Sequence, residues 1–222
     1  EDNTALIELK QEGNKRFESG DLLAIYPENS TRERLYSLGK SKDGNLLLSV
    51  KKHELGLCST LLHELKIGDS LEGFLLQNKA FHFPQKAKRT IMISNGTGIA
   101  PFLGMINRNG RAHEIHLYWG GRTGNSFDIY KETIEGALTN NQLAAFKPAY
   151  SRCCDKIYVQ SLIEKDAPFI AQTLKDHGTI MICGSITMQK GVTQALDQIC
   201  QMHNNQSLSF YQNRKQIKLD CY

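Results

Sequence analysis

The sequence predicts a small antiparallel β-barrel or sandwich followed by an α/β domain on a five-stranded parallel sheet. Two observations predict it. Over the first 87 residues, short apolar runs (TALIELK, GDLLAIYP, RLYSLG, NLLLSV and GDSLEGFLL) are broken by turn residues, as in short antiparallel strands. From Lys88 onward, compact apolar runs alternate with stretches at helical spacing, and such alternation builds a parallel sheet covered on both faces. The division falls at residues 1–87 and 88–222, with the basic, polar segment Pro84 to Arg89 as the hinge.

In the first half one helix interrupts the strands, Ser59 to Leu65, with Ser59 or Thr60 as its cap and Leu61, Leu62 and Leu65 as its apolar face. In the second half the strands are Thr90 to Ser94, Ile115 to Trp119, Pro148 to Ser151, Thr179 to Cys183 and Gln216 to Leu219. Between them the helical stretches are Pro101 to Asn107, Ile129 to Leu138, Phe169 to His177 and Met188 to Met202.

Composition narrows the function. A chain of 222 residues buries a core without disulfide or metal staples. With 40% hydrophobic and 23% charged residues it is neither disordered nor collagenous, and no apolar run approaches the ~20 residues of a membrane span. Lys and Arg exceed Asp and Glu by only 27 to 23, which is too dispersed for a nucleic-acid footprint and favours acidic small molecules or an acidic protein partner. The six cysteines form no CxxC pair, and neither they nor the seven histidines stand at metal-ligand spacing, so no metal is expected. Free cysteines and the lack of a signal peptide point to the cytoplasm. The chain opens on a strand without a methionine and reads as a piece of a longer protein.

Six stretches carry chemistry. SNGTGIAPF, Ser94 to Phe102, ends a strand and opens a helix; Gly96 and Gly98 permit close backbone approach and Pro101 suits the first helical turn. Such a turn favours a pyrophosphate, because unpaired N–H groups and the helix dipole converge there. A glycine turn that serves only packing is the alternative. YSRCCDKIYVQ offers Ser151, Arg152, Lys156, Tyr158 and Gln160: charge and hydrogen bonds for a phosphate and a flat ring for a base, or else a solvated basic loop. RLYS alternates Arg34 and Tyr36 with Leu35 and Ser37 on a strand, and GLCST, Gly56 to Thr60, repeats the glycine-then-helix pattern; alone, these read as an edge strand and an ordinary cap. Finally IKLDCY carries Asp220 and ends on Tyr222, which by default packs or frays, while Cys183 in MICGS is by default structural.

Taken in order, RLYS, GLCST, GTGIAPF, YWGGR, SR followed by KIYVQ, ICGS and a terminal aromatic resemble the ferredoxin-NADP reductase superfamily over Phe17 to Tyr222. The resemblance is closest to the reductase half of diflavin enzymes of the sulfite reductase flavoprotein type. It implies an FAD-binding β-barrel followed by an NADP-binding α/β domain, with hydride passing from NADPH to flavin at their junction. It further implies that Arg34 binds the FAD pyrophosphate, Tyr36 packs on the isoalloxazine and Ser37 bonds near the reacting nitrogen, with Leu35 between them also at the cofactor. Gly56, Leu57, Cys58, Ser59 and Thr60 fall at the FAD phosphates, and His53 where relatives place an aromatic against the adenine. Gly96, Thr97, Gly98 and Pro101 fall at the NADP pyrophosphate and ribose, Arg122 near the phosphates, and Ser151, Arg152, Lys156, Tyr158 and Gln160 at the 2'-phosphate and adenine. Ser37, Cys183 and Asp220 match the residues around nicotinamide and flavin, with Tyr222 as a displaceable cover on the flavin face.

The implied activity is an NADPH-dependent flavoprotein reductase that delivers single electrons to a flavodoxin-like FMN domain, a ferredoxin or a haem. Arg16, Arg32, Lys40, Lys42, Lys51 and Lys52 are candidates to steer an acidic carrier. Two departures stand out. Only Glu28 to Glu33 separates AIYP from RLYS, where diflavin reductases insert a helical connecting domain, and Ser185 replaces an acid common in relatives. A flavin-free NADP-dependent dehydrogenase and a nucleotide-sensing module without turnover are the rival readings.

Overall fold

The computed structural model describes residues 3–27, 31–110, 112–153 and 155–222; part of the AIYP-to-RLYS linker and Cys154 therefore lie outside the described residues. The antiparallel half contains β1 (Thr4–Leu9), β2 (Leu22–Ile25), β3 (Arg34–Ser37), β4 (Gly39–Lys40), β5 (Leu46–Lys51), α1 (Leu57–Glu64) and β6 (Phe74–Leu76). These strands form two three-stranded sheets, ordered β1-β5-β4 and β3-β2-β6. Residues from both sheets and from α1, among them Leu23, Ile25, Leu48, Val50 and Leu62, close on one apolar cluster. LLLSV is buried along its whole length, because β5 is the central strand of its sheet and is covered on both faces.

The second half runs β7 (Arg89–Asn95), α2 (Ala100–Asn107), β8 (Glu114–Gly121), α3 (Asp128–Thr139), β9 (Ala145–Tyr150), α4 (Val159–Lys165), α5 (Ala167–Lys175), β10 (Thr179–Gly184), α6 (Ile186–Asn204), α7 (Leu208–Asn213) and β11 (Ile217–Cys221). Its five strands are all parallel, in the order β11-β10-β7-β8-β9. The central strands β7 and β10 are sandwiched between two apolar clusters, one on each face of the sheet. The order reverses between β7 and β10, and a crevice opens at such a reversal because the following connections leave toward opposite faces.

Several boundaries differ from the sequence expectation for identifiable reasons. Helix α1 starts at Leu57 with Gly56 as its cap, not at Ser59 or Thr60: the Ser59 hydroxyl donates to the Gly56 carbonyl at 3.0 Å and accepts from His53 N–H at 3.1 Å, so it cannot cap a later start. Strand β9 begins at Ala145, three residues early, because it is an edge strand and Pro148 there removes no ladder bond. Helices α4 and α7 are additions; at seven and six residues, each buries too few side chains to print a helical period.

The halves meet backbone to backbone. A Cβ on Gly39 would stand 2.3 Å from the Ala100 carbonyl oxygen, and one on Gly104 would stand 2.2 Å from Lys40 N, so β4 lies directly on α2. Leu47 of β5 joins Met92, Phe102 and Leu103 in the cluster beneath the parallel sheet, which fixes the first half over the sheet's carboxyl edge. The Tyr130 hydroxyl pairs with the Ser49 hydroxyl at 2.5 Å across the same junction.

Candidate functional site

At the carboxyl edge of the parallel sheet lies a cleft of about 500 Å³. Its walls are the segments following β7, β8, β9 and β10, with Thr4, Lys51 and His53 from the antiparallel half and Tyr222 at the end of the chain. Of the predicted residues, Gly96, Thr97, Arg122, Ser151, Tyr158, Gln160, Tyr222 and His53 line it together. Gly98, Pro101, Arg152 and Lys156 do not. Gly98 is pressed on β10, where a Cβ would stand 2.4 Å from the Cys183 carbonyl oxygen, so its role is to seat the turn on the sheet. Pro101 is buried in the first turn of α2. Arg152 and Lys156 are exposed beyond the rim, Lys156 in the left-handed region at φ 41°.

Gly96 also has positive φ, at 50°, and no atom lies within 4 Å of where its Cβ would be, so the cleft is open above this turn. Ser151 is turned inward, its N–H and hydroxyl both donating to the Gly121 carbonyl at 3.0 and 3.2 Å. Across the crevice, Asn95 closes a loop that sequence reasoning missed. Its side-chain oxygen accepts from Ser185 N–H at 2.9 Å and its amide nitrogen donates to the Ser185 hydroxyl at 3.1 Å. The hydroxyl in turn caps α6 by accepting from Met188 N–H. Ser185 thus pins the β10–α6 turn.

The second constellation joins the two halves. Cys183 and Asp220 are register partners on adjacent parallel strands, β10 and β11. Ser37, at the end of β3, donates its hydroxyl to Asp220 Oδ2 at 2.7 Å, and the Cys183 thiol donates to the same oxygen at 3.8 Å. Asn78, which nothing in the sequence pattern singles out, donates to the other oxygen at 3.4 Å. It is held by its own N–H on Asp21 Oδ1, and His82 contacts that same oxygen at 2.6 Å. Burial opposes the charge on Asp21, but the bonds from His82 and from the N–H groups of Asn78 and Glu18 outweigh it and hold the carboxyl below its usual range.

Burial raises the Asp220 carboxyl above its usual value, and the bonds from Ser37 and Cys183 offset part of that rise. The Cys183 thiol is fully buried and raised well above a free thiol, by burial first and then by Asp220, so it remains a protonated donor. Tyr222 is anchored by its backbone: its N–H donates to the Gly184 carbonyl at 3.0 Å and its carbonyl accepts from Ile186 N–H at 3.2 Å. Tyr222 as a whole is 57% exposed, with the hydroxyl 3.3 Å from Thr97 Oγ1. The terminal aromatic is therefore held at the cleft by its backbone and by Thr97.

On the antiparallel side, Arg34 carries an exposed guanidinium that donates to the Arg32 and Glu33 carbonyls at 3.3 and 3.2 Å. Leu35 and Leu57 leave apolar side chains 47% and 65% exposed, and Tyr36, half-buried, is pushed up to about 12 by burial and stays a neutral ring. Cys58 and Ser59 point inward, the thiol to the Ile25 carbonyl and the hydroxyl to Gly56. At the start of α1 only backbone N–H groups and Thr60 are left to meet a phosphate. Among the steering candidates, Lys40 is bound to the Phe17 carbonyl and ring, and Lys52 faces Glu64 at 3.9 Å.

The donor set fits a dinucleotide. A glycine turn at a helix start, an arginine and a half-exposed tyrosine share one cleft, and a second arginine stands beside exposed apolar side chains. Residues 92–194 match the family of oxidoreductase NAD-binding domains. NADPH oxidoreductase A of Dictyostelium discoideum is 30% identical over 221 residues, which cover 91% of this chain and 34% of that protein. The sulfite reductase [NADPH] flavoprotein alpha-component of Aliivibrio fischeri is 30% identical, over 92% of this chain and 37% of its own length. The inducible nitric oxide synthase of Homo sapiens is 28% identical, over 88% and 19%.

The chain belongs to the ferredoxin-NADP reductase superfamily. Within it, the likeness is to the diflavin-reductase type. This superfamily member spans little more than a third of these relatives at most. Among its described residues no helix is long and apolar enough to cross a membrane, no group of three or more His, Cys, Asp or Glu is placed to hold a metal ion, and the five described cysteines are free. Of the two residues that the sequence reading passed over, Asn95 lies inside the SNGTGIAPF stretch it used, which was the available signal, whereas Asn78 carried none.

Proposed function

We propose that this chain is the FAD- and NADPH-binding unit of an NADPH-dependent reductase, with residues 1–87 holding the flavin and 88–222 the nicotinamide dinucleotide. The observation that carries the reading is the convergence of Ser37, Cys183 and Asp220, from both halves of the chain, beside the anchored Tyr222. Relatives named as NADPH oxidoreductases support it.

Bound FAD supplies a ring that takes up two electrons as hydride and gives them up singly. The chain supplies binding, orientation and electrostatics. Arg34 and the N–H groups opening α1 hold phosphates on the antiparallel side, and Leu35 and Tyr36 offer the apolar and aromatic surface for a ring. The Gly96 turn and Arg122 hold the pyrophosphate of the dinucleotide, and Tyr158 its base. Arg152 and Lys156, outside the cleft rim, reach for the 2'-phosphate that separates NADPH from NADH. Asp220 sets a fixed negative charge at the sheet edge, where Ser37 and Cys183 keep it aligned so that no reorganisation is needed when charge moves. Tyr222 shields that edge from water until a nicotinamide displaces it; a stacked pair contributes only ~0.5 to 1.5 kcal/mol beyond its burial. Proximity and orientation dominate such a transfer. The electrons pass to a one-electron acceptor: a flavodoxin-like FMN domain, a ferredoxin or a haem.

The test is an anaerobic titration of the FAD-loaded chain with NADPH, followed at the visible flavin band. Stoichiometric bleaching is expected. A retained flavin that NADPH leaves oxidised would make this a sensing module, and a chain that retains no FAD would leave only a flavin-free dehydrogenase.

A further inference from the structure

We infer that Trp119 is a positioning residue for the dinucleotide: its indole N–H fixes the peptide between Gly96 and Thr97 so that an amide N–H, not a carbonyl, is presented to the pyrophosphate. The inference rests on the cleft being a dinucleotide site.

The single tryptophan of the chain lies under that turn, 1% exposed, and donates its Nε1–H to the Gly96 carbonyl at 3.0 Å. The described residues contain no cis peptide, and in a trans peptide the carbonyl and the following N–H point opposite ways. Capturing the Gly96 carbonyl therefore turns the Thr97 N–H away from the indole. Without that bond the orientation rests on the single short 3₁₀ turn Gly96–Ile99, whose i→i+3 bonds are of poorer geometry than those of an α-helix. Gly96 has no Cβ, sits at φ 50° and has open space around it, so sterics add little resistance to the peptide turning over. Turned over, it would aim a carbonyl dipole at an anion.

The neighbourhood is shaped for an indole. Phe127, Tyr130 and Tyr150 surround the ring at centroid distances of 5.5, 5.8 and 6.3 Å. A Cβ on Gly121, two residues along the same face of β8, would stand 2.4 Å from ring atom Cη2. The second glycine of YWGGR is thus the space that the tryptophan occupies. A phenylalanine at 119 would keep an aromatic ring among these neighbours, lose the donor and leave a small void over Gly121.

The decisive experiment compares calorimetric binding of NADP+ and of adenosine 2'-monophosphate, which lacks the pyrophosphate, to wild type, Trp119→Phe and Phe127→Leu. Trp119→Phe is expected to bind NADP+ roughly tenfold more weakly, the cost of one buried carbonyl left unpaired, and the monophosphate as wild type does. Phe127→Leu, which loses ring packing but keeps the N–H, is expected to bind both normally. Equal NADP+ affinities in Trp119→Phe and wild type, or an equal loss for both ligands, would overturn the assignment. Wild type that binds the monophosphate but not NADP+ would instead bring down the dinucleotide reading and this inference with it. Should Trp119→Phe not fold, the lone indole N–H resonance of the wild type decides: protection from solvent exchange and a shift with NADP+ but not with the monophosphate are expected, and free exchange would refute the hydrogen bond.

Discussion

Strands β7 and β10 of the parallel half are buried almost throughout, whereas the antiparallel half leaves Tyr26, Leu35, Leu57, Phe74 and Leu76 at its surface. The difference follows from cover. Helices close both faces of the parallel sheet, and two clusters, one on each face, fill the space between. The antiparallel sheets share one small cluster and have one short helix of their own, with further cover only at the junction, where α2 lies under β4 and Leu47 joins the cluster beneath the parallel sheet. One half is complete without a ligand, and the other exposes apolar area that a flavin would cover. Asp220, Ser37 and Cys183 sit at the seam, where the rigid half can set the geometry for the incomplete one.

The sharpest way to break this contrast is at the seam. Asp220→Ala is expected to slow flavin reduction by about 100-fold or more while leaving NADP+ affinity unchanged, since it removes fixed charge and not a binding contact. Stopped-flow reduction beside calorimetric binding checks both, and a loss confined to binding would move Asp220 out of the reaction. Next in size, Arg152→Ala in the complete half is expected to cut the preference for NADPH over NADH by about 10-fold to 100-fold, as for one charge-assisted bond; equal efficiencies with both nucleotides in wild type would remove the basis for it. The incomplete half predicts that FAD at about 100 times its Kd raises the melting temperature by roughly 5 to 10 °C, from a linkage of about 2.7 kcal/mol. A larger rise with NADP+ than with FAD would invert the comparison.

The smallest effect is electrostatic. Because burial raises the Asp220 carboxyl above the usual 3.8, the folded state binds its proton more tightly than the unfolded chain does. Stability is therefore lost as pH rises from about the unfolded value through the raised one. Asp220→Asn escapes that cost. Its stability relative to wild type is expected to grow over that window and then level off, which denaturant unfolding at a series of pH values would follow; a constant difference would mean that Asp220 is not raised.

Much of this was legible in the residues. Alternation of compact apolar runs with helical spacing located all five parallel strands to within a few residues, because burial on both faces leaves an unmistakable run such as IMIS or TIMIC. Glycine turns were legible because few other residues accept their backbone. Less legible were α4 and α7, which are too short to carry a period, and the inward turn of Cys58 and Ser59, since residue type does not reveal which way a polar side chain points. The meeting of Ser37, Cys183 and Asp220 was implied by the family resemblance and by no local pattern: residues 183 positions apart come within 2.7 Å because β4 lies on α2 and β11 pairs with β10.

The sequence by itself determined the order of the two architectures, the placement of glycine turns at strand ends and the chemical types available there, because each depends on local patterning. The tertiary structure decided which of those groups share a cleft, which are spent on their own backbone, and that Asn95, Asn78 and Trp119 position the rest. Those outcomes depend on the packing of distant strands, and no local pattern encodes a distance across the fold.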